Sequence, residues 1–121
     1  MVIIAFSVKT SKILPRILCR HFRHCAPIIV RPGAQKPFVM YQFVTRRNIA
    51  RVTLNARDIN ILRAHGWEFI CVPNINPDVG ARGGITCVDF TKRVIKLRHR
   101  RIQTPDTLFK YLGRCCDTIL S

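Results

Sequence analysis

Cys87, in the segment "GGITCVDFTKRVIKL" (residues 83–97), is the side chain best placed to act as a nucleophile. Two glycines and a β-branched pair precede it, and apolar residues at helical spacing follow it. We therefore expect Cys87 at the N-terminus of a helix. Aligned peptide dipoles and N–H groups at a helix start stabilise a thiolate and lower the pKa of the thiol. A neighbouring imidazole would complete the activation.

Four histidines are candidate bases for this thiol. His21 falls in a basic segment, His65 at the end of a predicted helix, and His99 in the basic stretch "KLRHRR". His24 differs because it begins the apolar, β-branched segment "HCAPIIV", where a sheet can hold its ring towards a cleft. His24 is therefore the predicted general base.

A β-hairpin between "HCAPIIV" and "FVMYQFV" would supply a third polar side chain. If the hairpin loop is Pro32-Gly33-Ala34, His24 lies directly opposite Gln42, whose amide can orient the imidazole. A loop of a different length would bring residue 41, 43 or 44 opposite His24, and Tyr41 is the alternative to Gln42. The hairpin thus predicts a catalytic triad of Cys87, His24 and Gln42.

The rest of the chain predicts the scaffold that positions these residues. "VIIAF" is a predicted strand, "TSKILPRILCRHF" a short basic helix, and "NIARVTLN" a further strand after the hairpin. "NARDINILRAHG" is a helix with Asn55 as N-cap and Gly66 as its stop, and "WEFICVP" is a strand. The Cys87 helix and "TPDTLFKYLGR", with proline at its first position, finish the chain. This order predicts one α+β domain over residues 1–121, with a small antiparallel central sheet packed with helices.

The charge of the chain is strongly unbalanced. The 121 residues include 21 Lys and Arg against 6 Asp and Glu, a net charge of +15, and the first acidic residue is Asp58. An apolar fraction of 48% indicates a globular domain rather than a disordered basic tail. Such a positive charge attracts polyanions, whether nucleic acid, an anionic membrane surface, an acidic polymer or an acidic protein partner, without specifying which. "RRNIAR" and "KRVIKLRHRR" lack aromatic platforms and known DNA-binding patterns, so any nucleic-acid binding is expected to be nonspecific.

The six cysteines are expected to be reduced, because the opening "MVIIAFSVKTSK" lacks the features of a secretory signal or a membrane span. We accordingly expect a cytoplasmic or virion-associated protein without a transmembrane segment. "CRHFRHC" places Cys19, His21, His24 and Cys25 close together, but their spacing matches no common structural zinc module. The sequence therefore predicts neither a metal nor a cofactor.

Several segments together carry a resemblance to a known family. The segment "FRHCAPIIV" has a histidine at the start of a strand, and "VMYQFV" has a polar residue in the next strand. The late helix "TCVDFTKRVIKL" is followed by "TPDTLFKYL", and the opening part of the chain contains "IAFSVKTSKILPRIL". This layout resembles the circularly permuted papain-like branch of the NlpC/P60 superfamily, in which histidine precedes cysteine along the chain. Relatives often carry His, Asn or an acidic residue in the third position, where this sequence has Gln42.

The resemblance implies a permuted papain-like fold and a cysteine hydrolase or acyltransferase that acts on amide or ester bonds. Cys87 would be the nucleophile, His24 the base and Gln42 the third polar residue. The leading expectation is an amidase or peptidase whose substrate is a cell-wall peptide of peptidoglycan, and the small basic chain is similar to phage-encoded members. The alternative is a noncatalytic basic protein on the same scaffold, a structural or nucleic-acid-associated component of a larger assembly such as a phage particle.

Overall fold

The computed structural model describes residues 1–7, 24–45, 48–73, 75–78, 80 and 86–115. The predicted basic helix "TSKILPRILCRHF", with Cys19 and His21, lies outside these residues, as does Cys116. Every other predicted element is present. In chain order they are β1 (Val2–Ser7), β2 (His24–Val30), β3 (Phe38–Thr45), β4 (Asn48–Leu54), α1 (Ala56–Ala64), β5 (Glu68–Val72), α2 (Cys87–Val94) and α3 (Pro105–Cys115).

The five strands form one sheet in the order β4-β3-β2-β1-β5, and each neighbouring pair is antiparallel. The strand β1 is flanked on both sides, and all six of its residues are buried. Helices pack against the sheet, so the predicted α+β class with a small antiparallel sheet is confirmed. No helix in the described part of the chain is long and apolar enough to cross a membrane.

One face of the sheet, here called the α1 face, packs against α1. Ile59 and Leu62 of that helix contact a cluster that includes Ala26, Ile28 and Met40. A capping box starts the helix: the Asn55 side chain accepts from the Asp58 N–H at 2.8 Å, and the Asp58 carboxylate accepts from the Asn55 N–H at 2.9 Å. Gly66, just after the helix, has φ of 92°, a conformation that favours glycine. The predicted start and stop of α1 are therefore correct.

The opposite face, here called the α2 face, carries the larger core and packs against α2 and α3. It brings strand residues such as Phe6 and Cys25 against Val88, Leu108 and Leu112 of the two helices. In α2 the buried side chains are Val88, Phe90, Thr91 and Val94, and Ile95 at the helix end is also buried. The apolar residues that follow Cys87 at helical spacing in the sequence are thus the ones that pack against the sheet.

The register of the β2–β3 hairpin differs from the prediction by two residues. Ile28 pairs with Met40 and Val30 with Phe38, and the Arg31 N–H donates to the Pro37 carbonyl at 2.6 Å to close a loop longer than Pro32-Gly33-Ala34. The same register carried back to His24 places Val44, not Gln42, directly opposite. The expectation that Gln42 faces His24 squarely is therefore wrong. Side chains alternate with a period of two, so the shift leaves Gln42 on the same face as before.

Candidate active site

Cys87 is the first residue of α2, as predicted. Thr86 is the N-cap: its hydroxyl accepts from the Asp89 N–H at 3.2 Å, and its carbonyl accepts from the Phe90 N–H at 3.1 Å. Helix geometry gives the N–H groups of Cys87 and Val88 no acceptor within the helix. Cys87 is half-buried, so small molecules can still reach it. Its position at the start of α2 favours a negative charge on the sulfur.

Cys25, the second residue of β2, places its sulfur against that of Cys87. The Cys25 thiol donates to Cys87 with 3.8 Å between the two Sγ atoms. Cys25 is 1% exposed, and its Sγ also lies 3.5 Å from Oγ1 of Thr91, one helical turn along α2. Cys25 was not predicted from the sequence as a member of this site. Its alternation along β2 indicates the face it occupies, but only the docking of α2 brings it to Cys87.

The two thiols have opposite pKa shifts. The pKa of Cys87 is lowered to about 4, first by the hydrogen bond from Cys25 and then by a side-chain hydrogen bond with His24, whose ring charge also contributes, while burial opposes the change. The pKa of Cys25 is raised well above its usual value, chiefly by its hydrogen bond to Cys87 and then by burial. Cys25 therefore keeps its proton, and Cys87 is the thiolate of the pair.

The His24 ring is held on its far side by Gln42. His24 Nε2 and Gln42 Oε1 are 2.7 Å apart, and the Gln42 amide nitrogen donates to the Met40 sulfur at 3.3 Å. Because a carbonyl oxygen only accepts, Nε2 carries the proton in this contact. The Trp67 ring meets the His24 ring edge to face, with 6.2 Å between their centroids. These contacts fix the orientation of the imidazole.

The structure separates the other candidate residues from this arrangement. Tyr41, the alternative to Gln42, packs with Phe90 on the α2 face, whereas Gln42 contacts Met40 on the α1 face. His65 is the C-cap of α1, where its Nδ1 bonds the Ile61 carbonyl at 2.8 Å. His99 packs its ring on Tyr111 at 5.4 Å between centroids. Gln42 is thus the candidate that reaches His24, although by a diagonal rather than a directly opposed contact.

The zinc alternative involves a segment that the structure covers only in part. Cys19 and His21 lie outside the described residues, and His24 and Cys25 are engaged as set out above. Within the described ranges no group of three or more His, Cys, Asp or Glu side chains could hold a metal ion.

A basic cleft of about 850 Å³ lies at the C-terminal end of α2 and the turn that follows it. Five cations line it together with two carboxylates, those of Asp78 and Asp89. Lys92 is held by the carbonyls of His99 and Ile102, at 2.9 and 2.7 Å from its Nζ, so it helps to shape the wall. The other lining cations are Arg93, Lys96, Arg98 and Arg100.

Comparison of the chain with protein-family models, with curated proteins and with solved structures found no match. The residues and contacts of this chain are therefore the basis for assigning a function.

Proposed function

We propose that this protein is a thiol hydrolase of amide bonds with a permuted papain-like fold of the NlpC/P60 type. Cys87 is the nucleophile, His24 the general acid and base, and Gln42 the residue that positions the His24 ring. One arrangement carries the proposal: the thiol at the first position of α2 has its pKa lowered to about 4 with His24 among the causes, and His24 Nε2 lies 2.7 Å from an amide oxygen. A nucleophile, a base and a group that orients the base are the components of a cysteine-dependent acyl-transfer site.

In the acylation step the Cys87 thiolate attacks the carbonyl carbon of the substrate. The carbonyl oxygen becomes an oxyanion, and the N–H groups of Cys87 and Val88 at the start of α2 are the donors placed to stabilise it. Gln42 holds Nε2, so Nδ1 of His24 is the nitrogen that gives a proton to the leaving amine. Collapse of the intermediate breaks the C–N bond and leaves a thioester on Cys87.

In the second step water resolves the thioester. His24, now neutral, removes a proton from the water as the water attacks the acyl carbon, and the Cys87 thiolate leaves. The low pKa of Cys87 favours this departure because it makes the sulfur a good leaving group. The cycle ends with the site in its starting state and with a carboxylic acid and an amine as products.

The proposal includes a substrate class and a setting. The order of histidine strand, glutamine strand and late cysteine helix supports the permuted arrangement, and with it a peptide amide of peptidoglycan as substrate. The positive net charge of +15 suits a protein that works at an anionic polymer or within a phage particle. The leading activity is therefore cleavage of a cell-wall peptide by an amidase or peptidase.

Stoichiometric acylation tests the chemistry without knowledge of the substrate. Mixed with p-nitrophenyl acetate, the parent protein is expected to release a burst of p-nitrophenol and to carry the acetyl group on Cys87, whereas Cys87→Ala gives no burst. With an activated amide such as acetyl p-nitroanilide, whose amine must take up a proton to leave, His24→Ala should slow acylation by about 10²–10⁴-fold, the usual contribution of a general acid or base. Gln42→Ala should slow it less, and Gln42→Glu should restore part of the rate because a carboxylate still accepts from Nε2. Mass spectrometry of soluble peptidoglycan fragments then tests the substrate class.

Cys71→Ala is the matched control, because Cys71 pairs with Ile3 and so lies on the α1 face, away from Cys87. This variant should keep the full burst. Acetylation spread equally over several cysteines, or cleavage of the anilide that is unchanged in His24→Ala, would contradict the hydrolase proposal.

The basic cleft favours a second candidate function, the binding of a polyanion by a noncatalytic component of a larger assembly. After Lys92 is set aside, four cations face two carboxylates in the cleft, and their exposed positions allow contact with phosphates. No Phe, Tyr or Trp side chain lines the described part of the cleft, and the His99 ring there packs on Tyr111, so base stacking would contribute little and binding would follow charge.

Binding of random-sequence duplex DNA is expected to weaken steeply with salt, since each phosphate that the protein neutralises releases counterions. The double variant Arg98→Glu and Arg100→Glu should weaken the binding and flatten its salt dependence. The double variant Arg51→Glu and Arg57→Glu, at exposed positions outside the cleft, is the control of equal charge change. Equal losses in the control and in the cleft variant would show that the cleft is not the binding site.

A further inference from the structure

We propose that Cys25 is a resolving thiol for Cys87, so that a hydroperoxide converts the two residues into a reversible intramolecular disulfide. The inference goes beyond the hydrolase function, since it needs only a reactive sulfur at Cys87 and a second thiol beside it. It assigns Cys25 a covalent role, whereas in the amide chemistry Cys25 acts only through its hydrogen bond to Cys87.

The geometry places the two sulfurs in contact before any reaction. Their Sγ atoms are 3.8 Å apart although the residues are 62 positions apart in the chain, and they belong to packed elements of the core. Thr91 lies on the other side of the Cys25 sulfur, with its Oγ1 at 3.5 Å. Thr91 is fully buried, so the Cys25 side chain is confined between a rigid helix and the sheet and is directed at Cys87.

The burial of the two sulfurs differs in the way that two-step oxidation requires. Cys87 is half-buried and can be reached by a small oxidant, whereas Cys25 is 1% exposed and is shielded from it. The oxidant therefore meets Cys87 first. Cys71 lies on the α1 face and does not compete for the oxidised sulfur from within the same cluster.

The first step is nucleophilic attack by the Cys87 thiolate on the hydroperoxide. The sulfur takes the terminal oxygen, the O–O bond breaks, and a proton converts the departing hydroxide or alkoxide into water or an alcohol. The sulfur is oxidised by two electrons to a sulfenic acid, and the peroxide is reduced by the same two electrons. His24, hydrogen-bonded to Cys87, is placed to supply the proton.

The second step is attack by Cys25 on the Cys87 sulfenic acid. The S–S bond forms, the S–O bond breaks, and the hydroxide leaves as water with the proton that Cys25 gives up. The pKa of Cys25 is held high mainly by its hydrogen bond to the Cys87 thiolate, and the charge of that thiolate adds to the effect. Both influences end when Cys87 becomes a neutral sulfenic acid, while the hydrogen bond with Thr91 still favours the Cys25 thiolate. Burial still raises the pKa of Cys25, so oxidation of Cys87 removes two of the three causes that keep its resolving partner protonated.

The disulfide would remove the nucleophile from the proposed hydrolase and protect it from further oxidation. A sulfenic acid left unresolved proceeds to sulfinic acid, which ordinary thiols do not reduce, whereas a disulfide is restored by thiol exchange. If the protein does hydrolyse amides, its activity would therefore fall in oxidising conditions and return with a reductant.

The test is a non-reducing peptide map of the full chain after brief treatment with hydrogen peroxide and removal of the excess by catalase. The parent should lose two hydrogen atoms and yield one cross-linked peptide pair that joins Cys25 to Cys87, and dithiothreitol should reverse the change. Cys25→Ala and its isosteric counterpart Cys25→Ser should lose the cross-link completely and instead gain oxygen on Cys87, trapped by dimedone as the sulfenic acid. Cys71→Ser should keep the cross-link.

Accumulation of sulfenic or sulfinic acid on Cys87 of the parent, as fast as in the Cys25 variants, would overturn the proposal. So would a disulfide that joins Cys87 to any other cysteine or to a second molecule. The acetylation experiment separates this result from the hydrolase proposal: a cross-link without acyl transfer retains the redox role alone, and acyl transfer without a cross-link retains the hydrolase alone.

Discussion

Alkylation of Cys87 by iodoacetamide at about pH 5 is expected to be roughly thirtyfold faster than that of an ordinary thiol. With a pKa of about 4, Cys87 is largely ionised at this pH, whereas a thiol of pKa about 8.5 is ionised to roughly three parts in ten thousand. A thiolate of lower pKa is also a weaker nucleophile. With a Brønsted coefficient of about 0.45, this weakness reduces the rate advantage that ionisation gives Cys87 by about a hundredfold. The advantage should shrink as the pH rises, because ordinary thiols ionise while Cys87 does not change. The measurement is the rate of labelling at each cysteine, mapped by mass spectrometry, with Cys71 as the reference thiol in the same molecule.

Two substitutions show where this reactivity originates. Cys25→Ala removes the largest cause of the lowered Cys87 pKa, and His24→Ala removes the next, so both should reduce labelling at about pH 5. The larger loss is expected in Cys25→Ala. Ala26→Gly, at the next position of β2, should leave the labelling profile unchanged because it touches neither sulfur contact. Labelling of Cys87 that rises in parallel with that of Cys71 across the whole pH range would refute the activated thiolate.

Phe6→Ala is expected to lower the free energy of unfolding by about 3–5 kcal/mol, the usual cost of truncating a buried aromatic side chain. Phe6 lies on the flanked strand β1 with 0% exposure, and its ring meets that of Phe109 from α3 edge to face at 5.1 Å. Truncation would leave a cavity between the sheet and α3 and would remove this aromatic pair. A loss of this size is a large fraction of the stability of an ordinary domain. Equilibrium unfolding in urea, followed by circular dichroism, measures it.

The matched control is Val44→Ala on β3, since Val44 is an apolar strand residue that is 61% exposed. Its effect should stay within about 0.5 kcal/mol, as is usual for surface positions. Phe6 also pairs with Cys25 across the β1–β2 ladder, so Phe6→Ala should loosen the Cys25–Cys87 contact and slow alkylation of Cys87 at low pH. A loss below about 1 kcal/mol would show that α3 does not pack on β1 in the way described.

The lowered pKa of Cys87 and the proposed disulfide both depend on Cys25. Substitutions of Cys25 are therefore as informative about the site as substitutions of the three triad residues. In the reduced protein Cys25 donates to the thiolate of Cys87, and in the oxidised protein it would be the sulfur bonded to it. The proposed hydrolase would then contain the means of its own reversible inactivation. His24 serves both reactions, because in each it protonates the leaving group: the amine in amide cleavage, and the hydroxide or alkoxide in the reduction of the peroxide.

Most of the local structure follows from the sequence, because the signals that govern it are short-range. The Asn55 cap, the stop at Gly66 and the buried stripe of α2 depend on neighbours within four or five positions, and all three were predicted correctly. The position of Cys87 at a helix start was also predicted correctly from its near neighbours in the sequence. The α+β class follows from the order of these elements along the chain.

The hairpin shows which part of a long-range contact a sequence can determine. Alternation along β2 and β3 determines the face on which His24 and Gln42 lie, and that face is correct even though the predicted register is off by two residues. The register itself depends on where the loop closes, and the bond from Arg31 to Pro37 is a choice among several that the turn residues allow. The Gln42 side chain is long enough to reach His24 along the diagonal, so the pair forms despite the shift.

The sequence by itself thus determined the elements, the faces they present, the helix-start position of Cys87 and the excess of positive charge. Only the tertiary structure decided that Cys25 lies 3.8 Å from Cys87, that Tyr41 turns away from His24, and that the cations after α2 line a cleft. The physical reason is that side-chain periodicity in a strand or helix is a local property with a fixed repeat. The place where a helix docks on a sheet, in contrast, depends on the packing of many side chains from distant segments, and no single segment encodes it.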